Sequence, residues 1–307
     1  MKEKVEISVV IPAYNEEESI TPLYRELKSV LESIKKRHEI IFVDDGSTDR
    51  TFELLEKIRK KDKSVKVIQF QRNFGKSEAL SAGFEMSSGE YIITMDADLQ
   101  DEPSEIPNFL NNIGDYDLMV GWRYKRKDKI SKKAVSRLFN YLIKLLTGVN
   151  IHDSNCGYKM YKRKVIENIE LYGELHRYIP SLAYWKGFNV GEIRIKHNKR
   201  EFGKSKYNTS RLLRGFLDLI TVKFLISYSN RPLHLFGGMG ILLTLSGLAI
   251  IAGMYLRKFI FGVLIGSRPY LFIIGILSVI LGIQFISLGL LGEVIVGKLK
   301  SKKYITK

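Results

Sequence analysis

Cysteine is nearly missing from this chain: its 307 residues include one, Cys156. A lone cysteine excludes an intramolecular disulfide and any cysteine-built zinc site, and it fits a reduced, cytoplasmic setting. Tryptophan is almost as scarce, present only as Trp122 and Trp185. Acidic residues are outnumbered, 33 against 49 basic, for a formal charge of +16. Such an excess invites a nucleic-acid reading, but no familiar nucleic-acid-binding signature is present. Much of the surplus instead flanks long apolar runs, where anionic lipid headgroups attract Lys and Arg. No nucleic-acid partner is therefore expected. Nor is a secretory leader: Met1–Lys4 runs straight into an apolar strand pattern. No internal repeat or low-complexity tract is visible.

Charge is absent altogether from two stretches, 233–256 and 269–292. Each is long enough to cross a hydrocarbon core of about 30 Å as a helix. Both are apolar all round and rich in glycine, unlike an amphipathic core helix. Lys and Arg are few between them (Arg257, Lys258, Arg268) and dense on either side. The positive-inside rule then places both chain ends in the cytoplasm, in a multi-pass cell-membrane protein. Before the first span, a helix from about Asn208 to Ser227 carries Arg211 and Arg214 on one face and Leu212, Phe216, Ile220 and Phe224 on much of the other. A basic amphipathic helix beside a span is expected to lie on the bilayer surface. Packing on the soluble domain is the alternative. The expected organisation is a catalytic domain over 1–206, an amphipathic helix over 207–231, a two-helix hairpin over 232–297 and a basic tail over 298–307.

The first two hundred residues alternate strand and helix patterns. Strands are expected at Val5–Ile11, Glu39–Val43, Val65–Phe70 and Tyr91–Met95, and helices at Glu16–Lys36, Thr51–Lys60 and Ser77–Met86. A short strand at Asp117–Val120, a helix at Ser131–Leu146 and a strand at Asn189–Ile195 follow. This rhythm predicts an α/β fold around a mostly parallel, Rossmann-like sheet. Ligands of such sheets sit beyond the carboxyl ends of the strands. Pro12-Ala13-Tyr14-Asn15-Glu16, Asp44-Asp45-Gly46-Ser47 and Asp96-Ala97-Asp98 all fall there.

Of these motifs, Asp96-Ala97-Asp98 says most about chemistry. Residues i and i+2 of an extended strand share a side, so the two carboxylates are placed to meet on one hard cation, Mg²⁺ or Mn²⁺. Gln100, two residues on, would add a carbonyl oxygen. Taken alone, an Asp-x-Asp is equally a solvated acidic turn. His152 has no partner at metal-ligand spacing.

Four motifs in order, Val9-Val10-Ile11-Pro12-Ala13-Tyr14-Asn15-Glu16, Val43-Asp44-Asp45-Gly46-Ser47-Thr48-Asp49, Arg72-Asn73-Phe74-Gly75-Lys76 and Met95-Asp96-Ala97-Asp98-Leu99-Gln100-Asp101, resemble a family-2, GT-A-fold glycosyltransferase. The third and fourth resemble the polyisoprenyl-phosphate branch, such as dolichol-phosphate mannose synthase and the bactoprenol glucosyltransferases. The likeness covers roughly 5–230, and the two-span tail resembles the two-helix bacterial type. A Gln-x-x-Arg-Trp motif of processive synthases is missing, since Gly121 and Tyr184 precede the two tryptophans. Transfer of a single sugar is implied.

The resemblance implies a nucleotide-diphospho-sugar donor and a membrane polyprenyl or dolichyl phosphate acceptor. Pro12, Ala13, Tyr14, Glu16, Val43, Asp45, Lys76, Asp96 and Ala97 would line the donor pocket, Tyr14 offering its ring and Asp45 accepting from a base N–H. Asp45 as a cap of the next helix is the alternative, with Asp49 the better cap. Asp96, Asp98 and Gln100 would hold the metal. A lipid phosphate is already anionic and needs no strong base. It needs cations, and Arg123, Arg137, Arg200 and Lys206 are the candidates. The planar fork of arginine suits phosphate. Asp153 would orient an arginine or the acceptor loop. Direct displacement would invert the anomer.

Glucose from UDP-glucose is the first expectation for the sugar, on the two-span tail, and mannose from GDP-mannose the second. Two rival readings differ in class: transfer to a lipid hydroxyl, which would need a base near the acceptor, and a non-catalytic membrane-anchored nucleotide-sugar sensor. A homo-oligomer packed through the hairpin is left open.

Overall fold

The computed structural model describes residues 4–124, 142–198, 218–219, 221–224, 227–228, 231–262 and 264–300. The chain divides into two compact units, Met1–Val222 and Lys223–Lys307. Of the amphipathic helix expected over 207–231, residues 218–219, 221–224 and 227–228 are described and helical, and Arg231 is described outside any helix. Of the helix expected at Ser131–Leu146, residues 142–146 are helical and 131–141 lie outside the described residues.

The first unit is built on a seven-stranded sheet. Its strands are β1 (Ile7–Ala13), β2 (His38–Asp44), β3 (Val65–Gln69), β4 (Tyr91–Thr94), β5 (Leu118–Arg123), β6 (Lys159–Lys162) and β7 (Val190–Ile195), in the order β3-β2-β1-β4-β6-β5-β7. β6 runs antiparallel to β4 and β5, and the other pairings are parallel. Helices that lie wholly within the described residues of this unit are α1 (Ile20–Ile34), α2 (Thr51–Lys61), α3 (Lys76–Met86), α4 (Ile106–Asn112), α5 (Arg163–Ile166) and α6 (Ile179–Trp185). Val9, Val10, Ile40, Ile41, Phe42, Ile92 and Ile93 are fully buried, as are Leu23 and Leu27 of α1. Near-continuous apolar strands of this kind are what a parallel sheet covered by helices requires.

Two differences from the sequence reading have plain causes. β1 continues through Pro12 instead of stopping before it. Its missing N–H costs nothing, because β4 has ended on that side: the last paired residues are Val10 and Thr94, followed by the Met95 N–H to the Val10 carbonyl at 3.4 Å. α1 begins at Ile20 rather than Glu16 because Asn15 sits in the left-handed region, φ 54°, and turns the chain first.

The second unit contains α7 (Pro232–Phe261) and α8 (Pro269–Lys300). Both are long and apolar enough to cross a membrane, with 18-residue stretches of mean hydropathy 2.1 within Pro232–Phe261 and 2.6 within Pro269–Val296. They pack as an antiparallel hairpin through glycines seven residues apart. A Cβ on Gly240 would lie 2.6 Å from the Gly282 carbonyl oxygen, and one on Gly247 2.6 Å from that of Gly275. Small residues let apolar helices approach where no hydrophobic drive separates helix from lipid. The Glu293 carboxylate of α8 accepts the Leu233 N–H at 3.4 Å, satisfying one open donor of the α7 N-terminus. Gly282→Leu should therefore force the helices apart and cost about 1–3 kcal/mol as an overpacked contact. Gly238→Leu, with nothing within 4 Å of a Cβ, should leave the detergent melting temperature unchanged.

Candidate active site

Two loops at strand ends frame the site, and they are laced together. The Asn15 N–H donates to Ser47 Oγ at 2.9 Å, the Glu16 N–H to Thr51 Oγ1 at 2.8 Å, and the Thr48 N–H to Asn15 Oδ1 at 2.8 Å. Asp49 accepts the N–H of Thr51, the first residue of α2, at 2.9 Å, but from one position before the N-cap, which is Arg50 and makes no side-chain cap bond. Gly46, at φ +68°, presses on the Arg72 backbone, where a Cβ would approach to 2.3 Å. That close contact brings the 72–75 segment over the loop.

Asp45 then fixes the segment. Its carboxylate accepts the N–H of Phe74 at 2.7 Å and of Gly75 at 3.0 Å. Burial raises its carboxyl above the usual range, against the pull of those two N–H groups. Gly75 precedes α3, so Asp45 sets where α3 begins and hence where Lys76 stands. Lys76 forms an ion pair with Asp96. Burial alone would raise the Asp96 carboxyl, but the charges of Lys76, Arg123 and Lys159 outweigh it and hold it below the ordinary value.

These residues line one cleft of about 440 Å³. Ten of the sequence candidates meet there: Pro12, Ala13, Tyr14, Glu16, Asp45, Lys76, Asp96, Ala97, Asp98 and Arg123. Three described candidates do not line it. Val43 is a fully buried core residue of β2. Gln100 donates through its side-chain NH₂ to the Asn198 carbonyl at 3.3 Å, and its main-chain carbonyl accepts the Asn198 N–H at 3.0 Å. Asp153 is buried behind Arg123, which grips it in a two-pronged fork, Nε to Oδ2 at 2.6 Å and Nη2 to Oδ1 at 2.9 Å. The fork uses two of the five N–H donors of the guanidinium. Arg137, Arg200 and Lys206 lie outside the described residues.

The 153–157 loop joins the two charged centres. Asp153 holds Arg123, the Cys156 carbonyl accepts from Lys159 Nζ, and the Gly157 carbonyl accepts Thr94 Oγ1 at 2.8 Å. Gly157 rests directly on Asp96, so that a Cβ there would fall 2.7 Å from both carboxylate oxygens. Burial pushes the Lys159 ammonium down to about 8 and the Cys156 thiol up to about 12, which leaves the lone cysteine unreactive.

Asp96 and Asp98 supply hard oxygen donors to the cleft, and Asp96 already carries a cation in the Lys76 ammonium. That donor set fits Mg²⁺ or Mn²⁺. Among the described residues no group of three or more His, Cys, Asp or Glu is gathered to hold a metal, so water and substrate phosphates would complete any coordination.

Sequence reasoning passed over Asn73, Asn155, Glu174, His176 and Arg177, which also line the cleft. Glu174–Arg177 pair at 2.7 Å on the turn before α6. The available signal was a run of polar residues, Glu174, His176 and Arg177, directly ahead of the Ile179-Pro180 helix start.

The model of glycosyl transferase family 2 matches residues 8–170. The chain belongs to that family. Within it the chain is a polyprenyl-phosphate glycosyltransferase. It is 40% identical over 301 residues to a dodecaprenyl-phosphate galacturonate synthase of Rhizobium johnstonii, covering 95% of this chain and 88% of that one. It is 35% identical over 289 residues to an undecaprenyl-phosphate 4-deoxy-4-formamido-L-arabinose transferase of Pseudomonas paraeruginosa, covering 94% and 84%. Solved structures share the GT-A fold of this glycosyltransferase. Glucosyl-3-phosphoglycerate synthase of Mycobacterium tuberculosis, solved with Mn²⁺ and UDP-glucose, aligns with a TM-score of 0.53 at 20% identity, over 72% of this chain and 79% of that one. Mannosyl-3-phosphoglycerate synthase of Rubrobacter xylanophilus aligns with a TM-score of 0.56 at 15% identity, over 72% and 74%.

Proposed function

We propose that this glycosyltransferase moves one sugar from a uridine-diphosphate donor to a polyprenyl phosphate, with inversion at C1. The observation that carries this is the meeting of two anion-handling centres in one cleft: Lys76 with Asp96 and Asp98, and Arg123 on Asp153. A transferase between two phosphates needs both. Arg123 holds the acceptor phosphate with N–H groups left over from Asp153. An acceptor oxygen forms the new bond to C1 as the bond from C1 to the nucleoside diphosphate breaks, and the electron pair leaves with that diphosphate. No proton must be removed from the attacking oxygen, so no base is required. Asp96 and Asp98 would hold Mg²⁺ or Mn²⁺, whose chemistry is to neutralise charge gathering on the leaving diphosphate. Proximity and preorganised charge supply most of the rate.

For the sugar, galacturonate is our reading, because the relative that transfers it shares 40% of its residues over nearly the whole chain. Glucose, first expected from the tail alone, is a competitor in the test. A panel of UDP-galacturonate, UDP-glucose, GDP-mannose and UDP-GlcNAc should be given to detergent-purified protein with a short polyprenyl phosphate. Organic-phase label from UDP-galacturonate, lost with EDTA and β-configured by NMR for an α-linked donor, is the expected result. Label from UDP-glucose alone would replace the sugar, and an α-linked product would remove the inverting mechanism.

The hairpin keeps the catalytic unit on the bilayer that contains the acceptor tail. We place both chain ends and the catalytic unit in the cytoplasm, on the Lys and Arg asymmetry. With Cys156 buried, a cysteine introduced at Gly266 should be labelled from outside intact cells by an impermeant maleimide. Labelling only after lysis would reverse the orientation.

A further inference from the structure

His176 enters the cleft from a turn, Leu175–Arg177, and is tied to another element by one hydroxyl. Ser77 Oγ lies 3.1 Å from the main-chain nitrogen of His176 and 3.0 Å from its Nδ1. The main-chain N–H can only donate, so Oγ accepts there. Ser77 has one hydroxyl proton, and Nδ1 is the acceptor within its reach. Assigned in this way, a neutral ring carries its own proton on Nε2. Ser77 is fully buried in the first turn of α3, so the contact is set by two packed elements. Burial, with the charges of Lys76, Arg177 and Lys159, pushes the imidazole well below its ordinary value and keeps it uncharged.

A neighbour says what such a ring would recognise. Glu174 lies two residues away on the same cleft wall. The Glu174 carboxylate is paired with Arg177 at 2.7 Å, so this wall offers a charge-compensated carboxylate and a neutral N–H rather than a free cation. Such a wall suits a hydroxyl, which donates to one group and accepts from the other. The cations lining this cleft are Lys76, Arg123 and Arg177, the last paired with Glu174, and these are the groups that suit phosphate.

We propose that His176 binds the sugar of the nucleotide-sugar donor, its Nε2–H donating to a sugar hydroxyl, and that Ser77 is the positioning residue that fixes this tautomer. The inference rests on the donor reading above and adds the residue that distinguishes donor from free nucleotide. It also bears on the lipid-hydroxyl rival: with Nδ1 engaged and Nε2 protonated, His176 is not available as a base.

The test compares binding of UDP and UDP-galacturonate to the full-length protein by calorimetry, for wild type, His176→Phe and His176→Gln. Phe keeps a ring but has no donor, and Gln keeps an uncharged N–H. His176→Phe should weaken UDP-galacturonate about tenfold, the size of one lost hydrogen bond, and UDP less than about twofold. His176→Gln should recover most of the loss. Ser77→Ala should weaken the sugar nucleotide in the same direction and remove the Nε2–H signature from the ¹⁵N spectrum of His176. Equal weakening of both ligands by His176→Phe, or of neither, would overturn the proposal while leaving the donor reading intact. Wild-type protein that binds UDP but no UDP-sugar would overturn both.

Discussion

Asp98→Asn should lower kcat/KM for sugar transfer by about 10²–10³-fold, the range for removing one preorganised charge-stabilising group, and should barely change the melting temperature. Asp98 is buried at the cleft, and its Oδ1 accepts the Gln100 N–H at 3.2 Å. Asparagine keeps the volume and that acceptor, so the loop is preserved. What it removes is one of two negative charges placed to hold a cation against the donor diphosphate. Charge develops there as C1 separates, and the Lys76 ammonium, shared with Asp96, offsets only part of it. The variant should also need far more Mg²⁺ or Mn²⁺ for half-maximal rate. A variant that lost activity with an unchanged metal requirement would place the role of Asp98 elsewhere. An unchanged rate would remove Asp98 from the catalytic machinery.

Much of this site was legible because strand ends are legible. Apolar runs broken by Pro12, Asp44 and Asp96 gave β1, β2 and β4 and the edge on which their motifs gather. The parts that were not legible fail for specific reasons. Gln100 was expected on the side of Asp96 and Asp98 by strand alternation, but β4 ends at Thr94 and Leu99 is left-handed, φ 59°. Period-two reasoning does not survive such a turn. β6 is Lys-Met-Tyr-Lys, too short and too charged at its ends to stand out, although Lys159 is buried by pairing between β4 and β5. Its antiparallel insertion makes the sheet mixed, which no local pattern reports. Glu174, His176 and Arg177 reach the cleft only because the chain returns to α3 after nearly a hundred residues, through Ser77 and His176. The Arg123–Asp153 pair spans thirty residues. Its members could be named from motifs, but their contact is tertiary.

That pair gives the second large effect. Asp153→Ala should destabilise the protein by about 3–5 kcal/mol, the cost of stranding a buried partner charge, and should depress transfer as well. Taken alone, that result does not separate a structural role from a functional one. Arg123 is mostly covered, with its side chain 14% exposed, and Asp153 is 4% exposed. A buried pair of this kind can be exchanged for apolar residues of similar volume at little cost, because the exchange also removes the desolvation of both charges. The double substitution Arg123→Met with Asp153→Leu should therefore recover most of the melting temperature lost in Asp153→Ala. It should recover none of the transfer. The remaining defect should lie in the acceptor: KM for polyprenyl phosphate rises and kcat falls, while calorimetric affinity for the UDP-sugar stays within about twofold, since Lys76, Asp45 and His176 are untouched. Recovery of transfer along with stability would make the pair a fold device only, and the acceptor phosphate would then have to be held by other cations of the chain.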